Sequence, residues 1–129
     1  MRRWIPILAT LALVPVLGAS TGPVKIGVAS SGREADAAIS AEASRAPYIL
    51  LFDEKGGLVE VVDNGGVGAQ RAGPQVALAL KGKGVTHYIA QRFGPNLVRA
   101  LDGAGIQHVA KTGSAQEAVA QLIEELKER

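Results

Sequence analysis

The chain has 129 residues, 47% of them hydrophobic and 20% charged, with a formal net charge of +2; that is enough for one packed domain and too short for two. It contains no cysteine, which excludes disulfides, thiolate metal ligation, thiol redox chemistry and a cysteine nucleophile. Removing Arg2 and Arg3 takes the 14 basic side chains to 12, equal to the 12 acidic ones, and such a balance lacks the basic surplus of a general nucleic-acid binder.

Residues 1–20, MRRWIPILATLALVPVLGAS, have the layout of a secretory signal peptide: Arg2 and Arg3, an apolar run from Ile5 to Leu17, then Gly18, Ala19 and Ser20. The run is shorter than the roughly 20 residues of a membrane span, and Pro6 and Pro15 interrupt it. Export to the periplasm or beyond is expected, with membrane contact only if the segment is retained as an anchor. Residues 24–129 then form the domain.

VKIGVAS (24–30) predicts a first, buried strand, followed by a polar, alanine-rich segment, SGREADAAISAEASRAP (31–47). YILLFD (48–53), the turn EKGG (54–57) and LVEVVD (58–63) predict an antiparallel hairpin. NGGVGAQRAGPQ (64–75) leads into a helix with Pro74 in its first turn and Val76, Ala77 and Leu80 on one face, ended by KGKG (81–84). VTHYIA (85–90) predicts a fourth strand, and Gly94-Pro95 opens a helix through Leu101 that stops at Gly103. IQHVA (106–110) is the last strand. Ser114, with Glu117 three residues on, predicts a capped final helix with a stripe of Ala118, Val119, Leu122, Ile123 and Leu126.

Strands alternating with helices imply right-handed parallel crossovers, and the early hairpin implies one reversed strand. The expected fold is α/β: a mixed five-stranded sheet of order 3-2-1-4-5, strand 2 antiparallel, with three helices. In that order the segments after strands 1, 3, 4 and 5 gather at one edge. Open α/β sheets bind ligands at such a carboxyl edge, near the switch in strand order, here between strands 1 and 4.

Four segments carry a resemblance: SRAPYILLFD, NGGVGAQRAGPQVALALKGKGV, FGPNLVRALDGAGI and TGSAQEAVAQLIEEL. In order and spacing they resemble the nitrogenase iron–molybdenum cofactor biosynthesis family, the small domain of NifX-like proteins and of the NifB C-terminal region. The resemblance covers nearly all of 24–126. It implies a ribonuclease H-like fold and a non-catalytic carrier or binding module for iron–sulfur or iron–molybdenum clusters. Where relatives offer Phe-Gly this chain has Ala43-Ser44, and where their glycine loop offers histidine it has Gln70-Arg71.

The glycine loop lacks the Lys-Ser or Lys-Thr of a phosphate-binding P-loop and the last glycine of the dinucleotide fingerprint. Its glycines are also explained by the positive backbone torsions of a long turn. The arginines make a sharper case. Arg33 and Arg45 (first loop), Arg71 (glycine loop) and Arg92 (after strand 4) all fall at the carboxyl edge, with Lys111 nearby. Two helices open there, after Gly73 and Gly94, and helix N-termini with arginines suit an anion. The expected ligand-binding set is Arg33, Arg45, Asn64, Gly68, Arg71, Gly73, Arg92 and Gly94, for an oxyanion, a carboxylate or an anionic metal cluster. The contrary reading is solvated loop charge, offset by Glu34, Asp36 and Glu42.

His87 and His108 would be near neighbours on strands 4 and 5 and are the candidate metal ligands, although no third ligand is visible. Half-buried structural histidines are the alternative. No enzyme is expected. The first strand has no carboxylate for a two-metal nuclease, Ser30 and Ser31 have no His/Asp partners, and Asp53, Asp63 and Asp102 lie at element ends. The expected function is an exported binding domain for a cluster or other anionic ligand, the alternative a structural or protein-interaction module that kept the fold and lost the ligand.

Overall fold

A computed structural model describes residues 23–64 and 72–128. The expected signal peptide lies outside the described residues. In chain order the described elements are β1 (Ile26–Ser30), β2 (Tyr48–Phe52), β3 (Leu58–Asp63), α1 (Ala72–Gly82), β4 (His87–Ala90), α2 (Pro95–Ala104), β5 (Gln107–Ala110) and α3 (Ala115–Lys127). The strands form one sheet of order β3-β2-β1-β4-β5. β2 is antiparallel to β1 and β3, and β4 is parallel to β1 and β5. This is the expected ribonuclease H-like arrangement.

The central strands are continuous apolar runs because helices cover both of their faces; all five residues of β1 are buried. On one face Val76, Ala77 and Leu80 of α1 and Leu97 and Leu101 of α2 pack with Ala29, Ile49, Leu51 and Tyr88. On the other, Ala115, Ala118, Val119 and Leu122 of α3 pack with Ile26, Val28, Leu50, Phe52 and Ile89. Gly27, at the centre of β1, lets Tyr88 and Leu80 approach, since a Cβ there would sit 3.3 Å from Tyr88 Cδ1 and 3.5 Å from Leu80 Cδ2.

Helix ends follow local chemistry. α2 does not stop at Gly103, as expected, but continues to Ala104. The left-handed residue that ends it is Gly105 (φ 77°), whose N–H reaches the carbonyls of Leu101 and Asp102; a helix tolerates an interior glycine more readily than a capping position tolerates a side chain. Ser114 caps α3, its Oγ accepting from the Glu117 N–H at 3.2 Å. Ser114→Ala is expected to cost about 1 kcal/mol, read as a lowered denaturation midpoint with an unchanged m-value. In the β2–β3 turn the Asp53 carboxylate accepts from the N–H groups of Gly57 and Lys55, each at 2.9 Å. Those bonds, Gly57's foremost, hold its pKa below the ordinary value.

β3 forms one edge of the sheet and leaves Leu58 and Val59 exposed. The β2–β3 register shifts between Leu51 and Phe52, and Glu60 is bound by Lys83 Nζ at 2.6 Å.

The segment 31–47 lies at the carboxyl edge, as expected, but it is tied down there, crossing the ends of β1 and β4. The Ser40 N–H donates to Ala29 O (2.8 Å), the Gln91 N–H to Ser40 O (3.2 Å) and the Arg92 N–H to Ala41 O (3.0 Å). The Ala43 N–H returns to Arg92 O at 3.1 Å. Ile39 is buried in the α3-side core, whereas Ala43 and Ala46 are buried in the α1/α2-side core. The chain therefore passes from one face to the other over the switch point and fills that crevice with its own backbone.

Candidate functional site: a cleft at the carboxyl edge

With the switch point filled, the described residues leave an opening at the shoulder of the carboxyl edge on the α2 side. A cleft of about 420 Å³ lies there, lined by Glu42, Ala43, Ser44, Arg45, Arg92, Phe93 and Gly94. Two elements build it. One is the end of the crossing segment, anchored from below by the Tyr88 hydroxyl, which donates to Ala43 O at 2.5 Å. Tyr88 is fully buried, and burial pushes its phenol well above the ordinary pKa, so it serves as a neutral donor. The other element is the β4–α2 connection, where Gly94 is the N-cap of α2 with no side-chain capping bond and Pro95 begins the helix.

The cleft brings Arg45 and Arg92 together. Arg92 Nη2 lies 3.2 Å from Glu42 Oε2 and Arg45 Nε lies 3.8 Å from Glu42 Oε1, so one carboxylate serves two guanidinium groups. All three remain wet, with side-chain exposures of 70% for Arg45, 73% for Arg92 and 49% for Glu42. Ion pairs this exposed contribute little to stability, about 0–1 kcal/mol, and break readily. The charge in the cleft is unequal, two cations against one anion.

Other expected members go elsewhere. Arg33 stacks over the Tyr48 ring, 5.3 Å from its centroid, and does not line the cleft. Asn64 is a tether: its N–H donates to Pro47 O and its Nδ2 to Ala46 O, both at 2.8 Å, holding the end of β3 to the crossing segment. Gly73 lies where α1 meets α2, its Cβ position 3.5 Å from the Leu97 backbone nitrogen. Lys111 turns toward α3, bound to Glu125 at 3.1 Å. Gly68 and Arg71 lie outside the described residues. Sequence reading treated Glu42 as background charge and missed Phe93. Their signal is a pairing between distant segments, the Glu42–Arg92 bridge, which no local pattern announces.

The two histidines do not share a face. β4 and β5 pair with His87 opposite Gln107 and Tyr88 opposite His108, so His87 faces the α3 side and His108 the α1/α2 side. The expectation of neighbouring imidazoles assumed a register one residue different. His87 Nδ1 lies 2.8 Å from Thr86 Oγ1, and His108 packs edge-on against Phe93 with centroids 5.2 Å apart. Among the described residues no three His, Cys, Asp or Glu side chains are grouped to hold a metal ion. Ser30 is buried and bonded to its own turn, its Oγ donating to Gly32 O at 2.7 Å.

The model of the family described as dinitrogenase iron–molybdenum cofactor matches residues 23–125. The chain belongs to this family. A Thermotoga protein provisionally described as a NifB protein is 32% identical, with a TM-score of 0.68 over 78% of this chain and 88% of that one. The apo form of the orange protein from Desulfovibrio gigas is 25% identical, with a TM-score of 0.73 over 78% and 88%. A Methanocaldococcus jannaschii protein described as a dinitrogenase shares the fold at 13% identity, with a TM-score of 0.57 over 80% and 90%. No curated protein matches the sequence. Within the dinitrogenase iron–molybdenum cofactor family, then, this member has the fold without a cysteine and without paired histidines. That donor set does not fit a cluster ligated directly through protein sulfur or a pair of imidazoles.

Proposed function

We propose that this protein is an exported, non-catalytic binding domain whose cargo is anionic and is recognised by charge rather than by ligation to metal. The observation that carries this reading is the open cleft in which Arg45 and Arg92 share one carboxylate. Guanidinium groups present planar pairs of donors suited to oxyanions and to the anionic surface of a finished cluster. Membership of the dinitrogenase iron–molybdenum cofactor family supports an iron–sulfur or molybdenum-containing anion as the cargo class. The orange protein, a relative on this fold, is described in an apo form, which accords with a binding role. Export rests on the layout of residues 1–20.

Thermal-shift measurement with molybdate at fixed ionic strength tests the reading. The unmodified protein is expected to gain a few degrees at saturating molybdate, as mass action requires when a ligand binds only the native state. The Arg45→Ala/Arg92→Ala variant is expected to lose that gain while unfolding near the same temperature without ligand, because the pairs it removes are exposed. Equal shifts in both proteins would rule the cleft out. No shift with molybdate, and no iron, molybdenum or visible absorbance in anaerobically purified protein, would favour a protein-interaction module instead.

A further inference from the structure

We infer that Glu42 is an internal competitor for the anion cleft, one that any anionic ligand must displace from Arg45 and Arg92. The inference rests on the charge-recognition reading above and deepens it. Glu42 is not an incidental surface acid. The backbone on either side of it is fixed to β4 by the Arg92 N–H to Ala41 O bond (3.0 Å) and the Ala43 N–H to Arg92 O bond (3.1 Å). Its position relative to Arg92 is therefore set by a short parallel bridge, and its side chain meets both arginines that line the cleft.

A monovalent anion entering between the guanidinium groups exchanges one negative charge for another and gains little. A divalent anion of the same shape adds a charge and wins the exchange, but each must first release the same carboxylate, so Glu42 weakens both affinities by the same factor. Breaking the Glu42 contacts is an easy step, because Glu42 is about half exposed and both arginines more so. The device thus weakens anion binding without closing the site.

Calorimetric titration with molybdate (divalent) and perchlorate (monovalent), both tetrahedral, at constant ionic strength, tests the inference in the full chain. Glu42→Gln is expected to tighten molybdate binding by about fivefold, the scale of an exposed ion pair, and to tighten perchlorate by a similar factor, leaving the preference for the divalent anion in place. Glu34→Gln, the same change of net charge in the same segment, is expected to alter neither affinity. If Glu42→Gln matches the unmodified protein or binds less tightly, while Arg45→Ala/Arg92→Ala abolishes molybdate binding, the competitor role is wrong and the cleft stands. If Glu34→Gln tightens binding as much as Glu42→Gln, the effect is general charge and the inference is overturned. If neither the unmodified protein nor Glu42→Gln binds either anion, the cleft reading falls and the competitor role falls with it.

Discussion

Tyr88→Ala is expected to destabilise the domain by about 3–5 kcal/mol, the scale for removing a large buried aromatic side chain. Tyr88 is fully buried in the α1/α2-side core, and its ring stands edge-on to Phe93 at 6.0 Å. Its hydroxyl makes the 2.5 Å bond to Ala43 O that supports the floor of the cleft. Two effects are separable. Tyr88→Phe keeps the ring and strands the Ala43 carbonyl, at a cost of about 1–3 kcal/mol. Denaturant unfolding of both variants gives the totals. Amide exchange gives the location: in Tyr88→Phe the Ala43 N–H, bonded to Arg92 O, should lose protection ahead of amides in β1. Uniform loss across the domain would show that the hydroxyl is not a local anchor.

Ile39→Ala is expected to cost about 2–4 kcal/mol, a large effect for a residue outside the five strands and three helices. Ile39 is almost fully buried against α3-side residues. Its backbone is clamped as well, the N–H donating to Gly113 O at 2.9 Å and the carbonyl accepting from Gln91 Nε2 at 2.9 Å. A cavity beneath it loosens the crossing where it meets the start of α3, so protection of the Ala115 N–H, bonded to Ala37 O at 2.8 Å, should fall with global stability. A loss below 1 kcal/mol would mean that residues 31–47 are an appended loop rather than a structural tie.

The sheet was legible because its central strands are compact apolar runs and each crossover helix carries its own stripe and end signals. Ser114 with Glu117, and Val76, Ala77 and Leu80, are patterns of neighbouring residues that need no knowledge of the rest of the chain. The crossing was not legible because its pairings are single residues joined across long separations: Ser30 with Ile39, Ala38 with Ser114, Glu42 with Arg92. A lone bridge has no period. The histidines failed for a related reason, since strand register is decided by how two crossovers seat their helices, and a slip of one residue moves a side chain to the opposite face. Of the expected anion set, Arg45, Arg92 and Gly94 come together. Arg33 and Asn64 do not join them, nor does Lys111, which was expected only nearby, because each has a nearer partner in an aromatic face, a carbonyl pair or a carboxylate.

The β3 edge has a bearing on how the protein behaves at high concentration. Among the described residues nothing pairs with the outer side of β3, and an edge strand with exposed Leu58 and Val59 invites a second chain to extend the sheet, the first step of ordered aggregation. Here the register shift beside Leu58 spoils the straight ladder that such growth requires. Glu60, held by Lys83 Nζ at 2.6 Å, also puts a charged pair on the strand LVEVVD, and charged side chains on an edge strand oppose its pairing with a second copy. Resistance to self-association at this edge thus turns on the bulge and the charged pair, and replacing Glu60 and Lys83 with apolar side chains is the change that would favour growth of the sheet.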